Sequence, residues 1–118
     1  MDTQVKAEAP QRLDSHLIAV QELHAVQEHI LRQLAENGQE FQCHVWPINA
    51  ADETWFRVVL RFPGVPRDVP LLDGRAKPRR WKQLTALTRF LVLTVGNERG
   101  MFVHFDGISP QNLRSKGE

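Results

Sequence analysis

Hydrophobic and polar positions along the chain fall into five patterned segments separated by breakers. Between residues 13 and 34, Leu13, Leu17, Val20, Leu23, Val26, Ile30, Leu31 and Leu34 recur at intervals of three and four. This is the spacing of an amphipathic helix, and Asn37-Gly38 supplies its stop. The apolar arc covers about half of the helical circumference, wider than the stripe of roughly 100° needed against one neighbour, so the pattern predicts two neighbours. One side of the arc holds Ala19, Leu23, Val26, Ile30 and Leu34; the other is a seam of Leu13, Leu17, Val20, His24, Gln27 and Leu31. Polar His24 and Gln27 within that seam resemble the register-setting positions of paired helices. A homodimer through the seam is one expectation. The alternative places both polar residues at the solvent edge of an intramolecular contact.

Two strands follow. Residues 41–46 alternate Phe41, Cys43 and Val45 against Gln42, His44 and Trp46, and residues 55–62 alternate Phe56, Val58, Leu60 and Phe62 against Trp55, Arg57, Val59 and Arg61. Period-two alternation marks half-buried strands, and residues 47–54 read as the loop of an antiparallel hairpin. Placing both apolar sets on one face allows a register with Phe41 opposite Leu60, Cys43 opposite Val58 and Val45 opposite Phe56. It sets Glu40 by Arg61, His44 by Arg57 and Trp46 by Trp55 on the other face.

Residues 63–78 contain Pro63, Pro66, Pro70 and Pro78 with Gly64 and Gly74, which predicts a long irregular loop. Beyond it, Trp81, Leu84, Leu87, Thr88, Leu91 and Val95 recur at helical spacing and predict a second helix ending near Gly96-Asn97. A strand over residues 87–95, rich in β-formers, is the competing reading. A last strand over 101–105 sets Phe102 and His104 against Met101, Val103 and Phe105. The predicted fold is therefore α+β in the order α-β-β-α-β, with two helices on one face of a small, mostly antiparallel three-stranded sheet. Residues 1–11 are expected to be a disordered tail, 12–107 a single domain and 108–118 a polar C-terminal tail.

Composition narrows the class. With 118 residues, 42% apolar and 25% charged, the chain fits one ordinary globular core. Its longest apolar run, residues 90–95, is too short to cross a bilayer, and the N-terminus lacks the apolar core of a signal peptide. The expectation is a cytoplasmic protein with no membrane partner. A single cysteine, Cys43, excludes an internal disulfide and a thiolate-built metal site.

Net charge is only +1, but it is unevenly spread. Residues 1–53 carry nine acids and three bases, residues 54–89 nine bases and two acids, and the remainder three of each. Clustering of this kind fits either an external polyanion or the acidic block of the same or a neighbouring subunit.

The stretch KPRRWKQLTALTRFLVLTVGNERGMFVHFDG, residues 77–107, has a basic-aromatic turn leading into a helix of the form W-K-x-L-x-A-L-x-x-F-L and a strand ending near Asp. In this part it resembles small accessory proteins of proteobacterial plasmids and integrative elements, including partition-associated ones. The resemblance implies an accessory role near element DNA and brings no catalytic residue with it.

Candidate chemistry points the same way. His24 and His29 lie five apart on the predicted helix, facing about 140° apart, so they cannot share an ion. His44 and His104 can meet if their strands are neighbours, but no carboxylate joins them. Cys43 is predicted inward, no serine sits in a Gly-flanked elbow, and the glycines assemble no phosphate loop. No catalytic residue, metal or cofactor is expected, nor any small-molecule substrate. What stands out is a basic-aromatic set. Trp46, Trp55, Arg57 and Arg61 are predicted on the outer sheet face, with Arg75, Lys77, Arg79 and Arg80 before the second helix and Lys82 and Arg89 on one ridge of it. Rings interleaved with guanidinium groups occur at single-stranded nucleic-acid surfaces and at protein interfaces alike. The expected function is a small non-enzymatic adaptor, with nucleic-acid binding as the alternative.

Overall fold

The computed structural model describes residues 18–106. Its fold is α+β, with two helices and one mixed five-stranded sheet. In chain order a short 3-10 turn, Val20–Glu22, precedes helix α1 (Glu28–Glu36). The strands β1 (Gln42–Ala50), β2 (Glu53–Arg61), β3 (Val69–Pro70) and β4 (Arg80–Trp81) follow, then helix α2 (Leu84–Val95) and strand β5 (Phe102–Val103). Both predicted tails, together with Leu13 and Leu17 of the predicted helix, lie outside the described residues. No helix among the described residues is long and apolar enough to cross a membrane.

The long first helix is not formed. Among the described residues of that stretch only Glu28–Glu36 is α-helical, because the segment before it is tied into the sheet. Val26 bridges Leu71 in parallel, with its N–H donating to the Pro70 carbonyl at 3.0 Å and its own carbonyl accepting from Leu72 N–H at 2.7 Å. The Arg67 guanidinium donates to the carbonyls of Gln21 and Leu23, both at 2.6 Å. These acceptors would otherwise serve a helix, and satisfying them from outside removes its advantage. The apolar pattern survives the change of backbone, since Val26, Leu31 and Leu34 are still buried. The stop at Asn37-Gly38 is formed, with Gly38 at φ 74° and Gln39 N–H donating to the Leu34 carbonyl, a left-handed helix end.

The β1–β2 hairpin is antiparallel, but its register is shifted by two residues from the expected one: Cys43 faces Leu60, Val45 faces Val58 and Trp46 faces Arg57. The predicted loop is mostly strand, closed by a two-residue turn at Ala51 and Asp52, with Ala51 at φ 55°. A shift of two keeps every side chain on its predicted face. Pro47 fits within β1 because its nitrogen points the same way as the Val45 carbonyl, toward β5 and away from β2. That carbonyl accepts from His104 N–H at 2.9 Å.

Two strands beyond the three expected, β3 and β4, enlarge the sheet, and the expected last strand is present as the shorter β5. β5 pairs parallel with β1 through His44–Phe102 and Val45–Val103. β3 and β4 both pair antiparallel with the free edge of β2, with Leu60 facing Val69 and Arg57 facing Arg80. They act as one edge strand from which the chain between them is looped out, eight residues longer than a direct continuation. The proline-rich loop therefore contributes an edge, the position where a strand proline is tolerated.

Inner-face residues Cys43, Val45, Phe56, Val58 and Leu60 share one buried cluster with Leu31 and Leu34 of α1 and Leu87, Leu91 and Val95 of α2. Residues 84–95 are helical, not a strand, and Gly96 ends the helix at φ 90°.

Candidate binding surface

The outer face is built by alternation. Residues directly opposite in adjacent strands point to the same side, so Trp46 of β1, Arg57 of β2 and Arg80 of β4 form one row across three strands. His104, just past β5, extends the row: its imidazole stacks on the Trp46 indole with centroids 3.7 Å apart and planes at 1°. A second row sets Ile48 opposite Trp55. Over the Trp55 ring lie the Arg80 guanidinium, 4.6 Å from the centroid, and Lys82 Nζ at 5.8 Å.

Arg57 and Arg80 are like charges directly opposite each other, an arrangement that destabilises a strand pair. Neither has a carboxylate partner among the described residues. Nearby, Leu72 and Pro78 bridge to close the looped-out hairpin, whose tip carries Arg75 and Lys77. Asp73 holds this tip: one carboxylate oxygen accepts the backbone N–H of Arg75 at 2.8 Å and of Lys77 at 3.0 Å. Those bonds, that from Lys77 first, hold the Asp73 carboxyl below its ordinary value. Asp73 is spent on the backbone, and both side chains are exposed without an ion pair among the described residues. An open groove of about 590 Å³ is lined by Trp55, Asp73, Lys77, Pro78, Arg79 and Arg80.

Not all of the basic block belongs to this surface. Arg61, at the other end of β2, pairs with Asp68 at 2.7 Å. Arg79 pairs with Glu28 at 3.0 Å and lies over Phe90 at 4.3 Å and Trp81 at 4.9 Å, so it ties α1 to β4 and α2. Hydrogen bonds from Arg32, and then Arg79, lower the Glu28 pKa. Lys82 reaches Glu53 at 3.0 Å and, standing before α2 begins, shares no helical ridge with Arg89. Arg89 is exposed in the helical layer, on the other side of the sheet. The core of the predicted surface is thus Trp46, Trp55, Arg57 and Arg80, flanked by Arg75 and Lys77.

The four described residues of the predicted seam, Val20, His24, Gln27 and Leu31, do not form a single face. Val20 and Leu31 are buried in this chain's own core, and Gln27 Nε2 donates to the Asp73 carbonyl at 2.9 Å. His24 is exposed.

His44 is buried beside the Trp46 row. Its Nδ1 lies 2.8 Å from His104 Nε2 and its Nε2 lies 3.0 Å from Gln42 Oε1, and its ring stacks on Phe102 at 4.8 Å. Burial, followed by the Arg61 and His104 charges, lowers its pKa from 6.5, while Asp68 opposes them. Sequence reasoning brought the two histidines together only as metal-ligand candidates and missed His104 as the support of Trp46. The alternation that groups Phe102 with His104 was the available signal. Among the described residues, no three side chains of metal-ligand type come together. Cys43 faces the core, where burial raises its thiol pKa to about 11.

No protein-family model, curated protein or solved structure matches the chain.

Proposed function

We propose that this chain is a non-enzymatic docking module that binds an acidic macromolecule across the outer face of its sheet. The observation that carries this reading is Arg57 set directly opposite Arg80 without a carboxylate partner among the described residues. An incoming anion between them converts a repulsive pair into two charge-assisted contacts. The Arg80 guanidinium lies over the Trp55 ring, 4.6 Å from its centroid, a contact that reduces the side-chain entropy lost on binding. Arg75 and Lys77 on the neighbouring turn extend the positive surface along the groove. The buried Cys43 thiol, with its raised pKa, is a poor nucleophile and supports a binding role over covalent chemistry. The resemblance of residues 77–107 to accessory proteins of plasmids and integrative elements points to the same kind of role.

Retention on a heparin column tests the reading, because heparin offers dense anionic charge without bases. Wild-type protein is expected to be retained and to elute with salt, while the Arg57→Ala/Arg80→Ala double variant elutes near the void. Equal retention of the two proteins would remove this face from the reading.

A further inference from the structure

Building on the docking reading, we infer that the partner is a single-stranded nucleic acid whose bases stack on Trp46 while its phosphates meet Arg57 and Arg80. The argument rests on what the face holds besides charge. Trp46 is half-buried and backed by a parallel imidazole at 3.7 Å, and that imidazole is hydrogen-bonded to buried His44. The indole is therefore a fixed platform. Beside it on the next two strands come two guanidinium groups, and next to Arg57 on the same face of β2 stands the Trp55 ring, with the Arg80 guanidinium 4.6 Å from its centroid. Planar rings alternating with cations match a ligand that alternates planar bases with phosphates.

An acidic peptide satisfies the cations but makes no use of the rings. Main-chain addition of such a peptide to the adjoining edge of β2 is also blocked, since β4 pairs there with Phe56 and Arg57. A duplex presents phosphates but keeps its base faces inside the stack, out of reach of a ring platform on a sheet. A single strand supplies both partners at once. Stacking of this kind tolerates any base, so the expected preference is for strandedness over sequence.

The test compares fluorescence anisotropy for a labelled mixed-sequence single strand of about 12 nucleotides, within the range of site sizes seen on single-strand-binding folds, with that for its duplex. Heparin retention serves as the base-free reference. The single strand is expected to bind at least tenfold more tightly than the duplex and to quench tryptophan fluorescence. Trp46→Ala should weaken single-strand binding by roughly 5- to 100-fold, the range for loss of one stacked base, and Trp46→Phe should restore most of it. Heparin retention should be unchanged in both variants, which also reports that they are folded. Duplex binding equal to single-strand binding, or a Trp46→Ala variant indistinguishable from wild type on the single strand, would overturn the stacking inference and leave the docking reading intact. Retention on heparin together with binding of poly-glutamate but of no oligonucleotide would assign the face to an acidic protein. Absence of binding to every polyanion by folded protein would bring down the docking reading itself.

Discussion

Thr94 occupies the last turn of α2 with its hydroxyl buried and, among the described residues, without a hydrogen-bond partner. It lies on the same side as Leu87, Leu91 and Val95, the residues that seat α2 on the sheet. A buried hydroxyl that loses water and gains nothing costs about 1–3 kcal/mol. Valine has nearly the same shape and helix propensity, so the loss can be recovered without disturbing the packing. Thr94→Val is expected to raise the unfolding free energy by about 1 kcal/mol, seen as a higher midpoint in urea at unchanged slope. A lowered midpoint would show that the hydroxyl is satisfied in solution, for example by a buried water.

β4 and the residue before it show how alternation can separate two neighbouring side chains. Arg79 and Arg80 are neighbours in sequence, yet alternation sends them to opposite sides: Arg79 to Glu28, Trp81 and Phe90, Arg80 to the open face over Trp55. Arg79→Ala removes one partly exposed ion pair and two ring contacts and should cost about 1–2 kcal/mol of stability while leaving heparin retention in place. Arg80→Ala should reverse the pattern, with little change in the denaturation midpoint and a clear loss of retention. Matching behaviour of the two variants in both measurements would contradict this division. The sequence could not show it, because nothing local distinguishes the two arginines and the partner that claims Arg79 is 51 residues away. The outer face was legible for a different reason. Period-two alternation survives a register error of two, so Trp46, Trp55 and Arg57 kept their side although their cross-strand partners changed. Helix α2 was legible because its spacing and its Gly96 stop agree. The first helix was misread because the same apolar residues serve either backbone, and only the distant bridge between Val26 and Leu71 decides between them. Strands as short as β3 and β4 leave no period to detect, and their prolines read as breakers until the edge they occupy is known.

Across the whole molecule, the parallel edge depends on a histidine that must remain neutral. β5 contributes only two paired residues, so side chains carry much of its attachment to β1: the His44–His104 bond, the His44–Phe102 stack and the Trp46–His104 stack. Gln42 Oε1 can only accept, which makes His44 Nε2 the donor and leaves Nδ1 to accept from His104 Nε2–H. A proton on His44 Nδ1 would set two donors against each other as long as His104 keeps its proton on Nε2. Burial and the Arg61 charge already disfavour that proton, placing the folded-state pKa below 6.5. The unfolded chain therefore takes up the proton first. The stabilisation is complete above the unfolded value near 6.5 and is lost as pH falls from there through the folded value. Glu28, held below its ordinary 4.5 by Arg32 and Arg79, adds a loss only in more acidic solution, so the two windows are distinct. Urea unfolding between pH 8 and pH 5 should show stability declining in wild-type protein, with a shallower decline in His44→Gln, whose amide does not titrate. The comparison is between slopes, so a lower absolute stability of the variant does not affect it. Equal slopes would mean that the joint between β1 and β5 tolerates the proton and that the Trp46 platform it supports is indifferent to pH.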